Sequence, residues 1–270
     1  MKSFIADKNR KLSKLALYNI EDLSFSALNK ALRKKDVKVN GKRVNEDVML
    51  NVGDKVEIYY QSSVVEKFKK LFQDDNLLVI YKKSGYTSES IYQDLSTQFA
   101  SARFIHRLDR NTDGLMLFAL NDIAEKELLL AFKNRTFDKK YHARVKGVPK
   151  NKEEILTAYL VKDKDNALVK IYDRAVKGSC QIKTGYKIIE HDYKTSLLEV
   201  TLFTGKTHQI RAHLAYIGHP ILGDGKYGDF DFNAQFGAKT QMLTAHSITL
   251  NFNSDSPLFY LNKKTFTIND

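Results

Sequence analysis

Between Asn76 and Phe252 the chain returns repeatedly to strand-length segments, interrupted by only a few helix-length patterns. Asn76–Tyr81 (NLLVIY) and Gly114–Leu120 are continuous apolar runs, the pattern of strands covered on both faces. Tyr141–Val148, Glu154–Tyr159, Ala167–Tyr172, Gln181–Glu190, Ser196–Thr204 and Leu243–Phe252 read as further strands. Helical spacing is confined to Ile91–Phe99, Asp122–Arg135 and Lys206–Ile217. In the second of these Ala124, Leu128, Ala131 and Phe132 form one stripe, with Asn121 as N-cap. Runs of strands with few helices specify an α+β fold: a large mixed, mostly antiparallel sheet with flanking helices.

The first 62 residues read differently. Ser26–Lys35 places Leu28, Ala31 and Leu32 on one helical face. Val37 and Val39 then alternate with Lys38, and Asn40-Gly41 is a two-residue hairpin signal because both positions need φ > 0. Val56, Ile58 and Tyr60 alternate again. These features predict a small α/β domain over 1–62, a connector over 63–73, and a second domain over 74–270.

Lys and Arg total 44 against 32 acidic residues, a net charge of +12, and residues 1–60 are denser in the excess, with 13 basic to 8 acidic. Such a surplus suggests a polyanionic partner, RNA, DNA or a membrane surface; it also reads as the solvated basic surface of a soluble enzyme. Cys180 is the only cysteine, so no intrachain disulfide and no cysteine metal cluster can form. The opening MKSFIADKNRKLSK has no apolar core of a secretory signal, and no apolar run approaches membrane-spanning length. The expectation is a cytoplasmic protein with no membrane role, monomeric, and with no obligate protein partner evident.

Four clusters carry polar chemistry. In FIHRLDRNTDG (104–114), Asp109 stands between Arg107 and Arg110, just ahead of a buried strand. Neighbouring positive charge favours a carboxylate, suited to act as nucleophile or base; the same residues also read as a surface turn held by an Asp–Arg pair. In TGKTHQIRAH (204–213) the helix N-terminus, Lys206 and Arg211 suit an anion. His208 and His213 are five apart, not the four that would place two metal ligands on one helical face, so no metal site is expected. GHPILGDGKYG (218–228) reads either as a phosphate-cradling loop or as a structural loop of left-handed glycines. In KKYHARVKG (139–147) Tyr141, Ala143 and Val145 share the apolar face.

These segments resemble a known family. HRLDRNTDGLMLFA (106–119) resembles the catalytic motif of the RluA-type pseudouridine synthases, and THQIRAHLAYIGHPILGDGKYG (207–228) resembles the same family's later motif. The strand at 139–147 and LTAHSITL (243–250) match its remaining motifs, in family order, over roughly 76–252. Residues 1–60 are similar to the S4-type RNA-binding domain often found ahead of it, on the basic helix and VKVNGKRV (37–44). The resemblance implies isomerisation of uridine to pseudouridine in RNA, most often large-subunit ribosomal RNA in preference to transfer RNA, with no cofactor. It implies catalytic roles for Asp109, Tyr141 and Arg211, and substrate contacts from Arg107, Ile210, His106, Thr207 and His208. It also implies a phosphate-gripping edge of Arg33, Lys34, Lys38, Lys42 and Arg43.

Three positions depart from the family pattern: Asp113 stands for a usual Ser, Lys83 for a Pro and Lys206 for an Arg. Two other readings compete. An inactive RNA-binding or ribosome-assembly factor on this scaffold would be free to lose one of Asp109, Tyr141 and Arg211, and all three are present. A metal-dependent hydrolase needs ligand spacing that the histidines lack.

Overall fold

The structure is a computed structural model describing residues 1–20, 23, 25–60, 66–163 and 167–268. The chain divides into two compact units, Met1–Glu66 and Lys67–Asp270.

The first unit runs β1 (Lys2–Ile5), β2 (Arg10–Lys11), α1 (Leu12–Asn19), α2 (Phe25–Arg33), β3 (Val37–Val39), β4 (Lys42–Val44), β5 (Met49–Leu50) and β6 (Lys55–Ile58). Four strands form a sheet in the order β1-β6-β3-β4, and β2 pairs with β5. Leu12, Leu15 and Ala16 of α1 and Leu28, Ala31 and Leu32 of α2 share a core with Val37, Val56 and Ile58. Both helices carry the same i, i+3, i+4 spacing. The β3–β4 turn has φ of 50° at Asn40 and 78° at Gly41, as the Asn-Gly pair predicts.

The second unit continues with β7 (Phe68–Gln73), β8 (Leu77–Lys82), α3 (Ser88–Gln98), β9 (Arg103–Phe104), β10 (Asp113–Ala119), α4 (Asp122–Asn134) and β11 (Asp138–Lys146). It ends with β12 (Glu153–Asp163), β13 (Leu168–Tyr172), β14 (Cys180–His191), β15 (Thr195–Leu202), α5 (Gln209–Tyr216), α6 (Phe230–Gln235), β16 (Leu243–Thr249) and β17 (Thr265–Thr267). One sheet runs β13-β12-β14-β15-β11-β16-β10-β8-β7, with β17 added on β16 and β9 on β10. The β10–β16 pair is parallel and the other pairings are antiparallel. The α+β fold with a large, mostly antiparallel sheet is the one expected.

Two-sided burial explains the apolar runs. Leu77 and Val79 of β8, with Leu115 and Leu117 of β10, pack under Ala124 and Leu128 of α4. Leu78 and Ile80, with Met116 and Phe118, pack on the opposite face against Ile91 and Leu95 of α3. Farther along the sheet one face alone is apolar: Ala143, Val145, Leu198 and Val200 lie with Ile210 and Leu214 of α5. The reverse face carries ion pairs, Lys140 Nζ to Glu199 Oε1 at 2.8 Å and Arg144 to Glu190.

Gly114 fixes the centre of the sheet. Its φ is 118°, and a Cβ there would sit 2.4 Å from the Ala245 carbonyl oxygen. Only glycine allows β10 and β16 this close at the Gly114–Ala245 rung. The expected connector over 63–73 needs correction: Phe68–Gln73 is the edge strand β7, antiparallel to β8. Its charged, half-exposed side chains are those of a solvated sheet edge, which resembles a linker in sequence.

Candidate active site

The loop entering β10, the face of β11 and the start of α5 converge on Asp109. Arg211 Nη1 donates to Asp109 Oδ2 at 2.9 Å. The rest of the guanidinium is taken by Asp224: Nε donates to Oδ2 at 2.7 Å and Nη2 to Oδ1 at 2.9 Å. Arg211 is buried and the Asp224 side chain is 0% exposed, whereas that of Asp109 is 25% exposed. Burial alone would raise the Asp224 carboxyl. The Arg211 hydrogen bonds and charge, with the Lys226 and Tyr227 amides, outweigh it and hold the group below the ordinary range. Burial opposes the Arg211 charge, and the two carboxylates outweigh it, so the guanidinium stays charged.

Tyr141 lies across two apolar clusters, one containing Met116 and Ala245 and the other Ile210 and Leu243. A register shift between Lys140 and Tyr141, opposite β16, aims it there. Burial first, and then the Asp109 charge, push its phenol up, so Tyr141 presents a neutral ring and hydroxyl. His208, the N-cap of α5, completes the cluster with Nε2 3.9 Å from Asp109 Oδ2 and Nδ1 2.9 Å from the Tyr227 hydroxyl.

The loop is held from below. Lys82 is fully buried, and its Nζ donates to the carbonyls of Lys83 at 3.1 Å and Arg110 at 2.9 Å. Burial brings its ammonium down to about 8, against the pull of Asp113 and Asp109. Gly85 N–H donates to the Arg110 carbonyl, Ser84 Oγ to that of Asn111 and Ser88 Oγ to that of Leu108, each at 2.9 Å. The backbone around Asp109 is therefore tied to the segment after β8 at residues 108, 110 and 111.

Residues 76–216 match the family described as RNA pseudouridylate synthase. A relative from Vibrio vulnificus (strain CMCP6), named ribosomal large subunit pseudouridine synthase C, is 33% identical over 258 residues, covering 85% of this chain and 81% of its own. The chain belongs to the RluA-type family of RNA pseudouridine synthases. A relative of the same name from Escherichia coli (strain K12) is 31% identical over 258 residues, covering 84% and 80%. The solved structure of human RNA pseudouridylate synthase domain containing 1 shares the fold. Its TM-score is 0.66 at 22% identity, over 77% of this chain and 85% of that one.

In this synthase Asp109, Arg211, Tyr141, Ile210 and His208 lie together. Other expected residues lie elsewhere. His106 is turned to the α4 side of the sheet, where its ring stacks on Phe132 at 4.6 Å and Nε2 accepts the Leu117 N–H at 3.0 Å. Burial lowers it to about 3, so the ring is neutral where it packs on Phe132. Arg107 is exposed and pairs with Glu89 at 3.3 Å; Thr207 is exposed ahead of α5. In the first unit Lys38 and Arg43 are direct register partners on one face of the hairpin. Lys42 opposes Val39 and so falls on the other face, while Arg33 and Lys34 are exposed at the end of α2. No group of three potential metal ligands occurs among the described residues, and none of their helices is long and apolar enough to cross a membrane.

Sequence reasoning missed Asp224 and Tyr227. The glycine-rich 218–228 segment does not offer its amides to a phosphate, since Asp224 Oδ1 accepts the N–H groups of Lys226 at 2.8 Å and Tyr227 at 3.1 Å. Gly223 has φ of 76° where a Cβ would meet the Thr240 carbonyl at 1.9 Å, which fixes the loop beneath Arg211. A signal was present: an arginine in an apolar helix face has five donors, more than one aspartate can take.

Two of the three departures from the family pattern have local causes. Asp113 accepts from the Tyr81 hydroxyl and from Thr244 Oγ1, each at 2.7 Å, so both oxygens are engaged. Lys83 donates its backbone N–H to the Lys67 carbonyl at 2.9 Å, a bond proline cannot make.

His213, two residues beyond Arg211, gives the synthase an acid-labile point. It is buried with Nδ1 3.0 Å from Thr184 Oγ1, and burial lowers it to about 4. An unfolded histidine titrates near 6.5, so between these values the unfolded chain binds more protons and stability falls as pH falls. The expected loss from pH 7 to 4 is about 3 kcal/mol for this residue. Denaturant unfolding of wild type and His213→Gln at both pH values measures it; an equal acid loss in the two proteins rules it out.

Proposed function

We propose that this synthase isomerises uridine in large-subunit ribosomal RNA, with Asp109 as its essential carboxylate. The observation that carries the reading is the Asp109–Arg211 contact at 2.9 Å, made across 102 residues of sequence and backed by Asp224. The substrate class is supported by the relatives named as acting on the ribosomal large subunit.

The target uridine leaves its stack, at a cost of a few kcal/mol, roughly. Stacking on Tyr141 offsets part of that, at about 1–3 kcal/mol per base–aromatic contact. Asp109 acts on the ribose at C1′ or C2′, and the N1–C1′ bond breaks. The freed base turns, C5 bonds to C1′, and the C5 hydrogen leaves as a proton, with N1 protonated in the product. Arg211 holds and orients the carboxylate through its Nη1 hydrogen bond. Ile210 walls the base, and Arg107, on the rim, fills the space the flipped nucleotide leaves. The first unit acts as an S4-like grip: Lys38 and Arg43 on the hairpin face, with Arg33 and Lys34 at the end of α2, contact phosphates.

The test is tritium release from RNA labelled at uridine C5, prepared from cells lacking this gene. Any route to pseudouridine must expel that hydrogen. Release from ribosomal RNA is expected, and its KM should rise steeply with salt, as phosphate gripping requires. Bound RNA with no release from ribosomal RNA, transfer RNA or assembly intermediates overturns the reading. A KM insensitive to salt overturns the phosphate grip.

A further inference from the structure

His208 has φ of 55° and ψ of 16°, a left-handed backbone that few non-glycine residues adopt. Strain of that kind persists where the surroundings demand it. Here it puts the imidazole edge-on to the Tyr227 ring, at 5.6 Å and 72°, with one nitrogen on the Tyr227 hydroxyl and the other facing Asp109.

The hydrogen bonds favour one tautomer of this imidazole. Val169 N–H donates to Tyr227 Oη at 2.8 Å. With one acceptor position of the hydroxyl taken by Val169, its O–H is free to donate to His208 Nδ1 at 2.9 Å. A neutral imidazole that accepts at Nδ1 carries its hydrogen on Nε2. That nitrogen faces Asp109 Oδ2, the same oxygen that receives Arg211 Nη1. Among the described residues, both contacts to this carboxylate fall on Oδ2.

We propose that His208 is a positioning residue for Asp109: its Nε2–H, set by the Tyr227 hydroxyl, faces Oδ2 and closes on it when substrate binds, so that Oδ1 is the oxygen presented to the ribose. The kinetic side of this rests on the role given to Asp109 above; the tautomer does not. The charged groups around the imidazole are Asp109 and Asp224, which favour its protonation, and Arg211 and Lys226, which oppose it; burial tips the balance and keeps it neutral. At 3.9 Å the Nε2 contact is longer than a formed hydrogen bond, and contacts of this kind tighten when substrate is bound.

Long-range proton–nitrogen NMR of the full-length protein, labelled at histidine nitrogens, reads the tautomer at neutral pH. His208→Asn identifies the His208 signals by their loss. The expected wild-type pattern is an accepting Nδ1 and a protonated Nε2. In Tyr227→Phe, which keeps the ring against Arg211, an Nδ1–H population should appear. In the tritium assay Tyr227→Phe and His208→Asn should lower kcat roughly ten- to a hundredfold with KM within about twofold. His208→Gln, whose amide nitrogen reaches toward the Nε2 position, should recover most of that loss. A wild-type His208 protonated on Nδ1, or a His208→Asn protein with wild-type kcat, overturns the proposal. A wild type that releases no tritium from any RNA counts against the proposed function, and the NMR result then decides this inference by itself.

Discussion

Asp109→Ala is expected to abolish tritium release, by at least about a thousandfold in kcat, while the protein stays folded and binds RNA within about twofold of wild type. The two halves of the expectation come from different parts of the geometry. Turnover is lost because, in the proposed reaction, no other carboxylate can take over at the ribose: Asp224 is sealed beneath Arg211, and Asp113 has both oxygens engaged by Tyr81 and Thr244. Stability is kept because Arg211 does not become an unpaired buried charge when Asp109 goes. Asp224 still holds it through Nε and Nη2. The Asp109 side chain is itself partly exposed, so the cost lies between that of a surface pair, about 1 kcal/mol or less, and that of a fully buried one. Urea unfolding, RNA binding and the tritium assay on one preparation separate these terms. Wild-type turnover in the variant removes Asp109 from the chemistry. An unfolded variant would mean that Asp224 does not satisfy Arg211 as the contacts describe.

Much of this arrangement was legible because local chemistry and tertiary placement agree. The apolar runs read at Asn76–Tyr81 and Gly114–Leu120 fall in the strands Leu77–Lys82 and Asp113–Ala119, which are covered on both faces, with a helix on each side. Asn121 caps α4 by accepting the Ala124 N–H at 2.9 Å, as its place before the helix predicts. The alternation through Tyr141, Ala143 and Val145 survives in β11. What sequence obscured has physical reasons too. The helix read from Lys206 begins at Gln209, because Gln209 Oε1 accepts the Lys206 N–H at 3.1 Å and Thr204 Oγ1 at 2.9 Å, closing a turn first. His106 and Asp109 share one motif, yet they lie in different surroundings, one on Phe132 and the other on Arg211. Spacing along the chain carries no record of such a divergence. Asp224 was hidden by the glycines around it, which suggest an open loop until its own carboxylate is seen to occupy the amides.

Asp224→Ala should reverse the balance seen at Asp109, costing about 3–5 kcal/mol of stability as well as activity. The variant leaves Arg211 Nε and Nη2 buried with no acceptor, together with the Lys226 and Tyr227 amides that Asp224 now receives. A buried guanidinium that loses its bidentate partner retains the full cost of desolvation, and Asp109, at one nitrogen, cannot make it up. Arg211 then turns toward water or toward Asp109 alone, and either movement displaces the carboxylate it orients. Asp224→Asn, which keeps the shape and one acceptor oxygen, should fall between wild type and alanine in both stability and kcat. The pairing itself is tested by a double-mutant cycle in urea with Arg211→Met, Asp224→Leu and the two combined. Because each single change strands a buried charge and the double change strands none, the double variant should be less destabilised than the sum of the singles by more than about 1 kcal/mol. Strict additivity would mean that Arg211 and Asp224 are neighbours without being partners, and the support beneath Asp109 would then have to come from the Lys82 side of the loop.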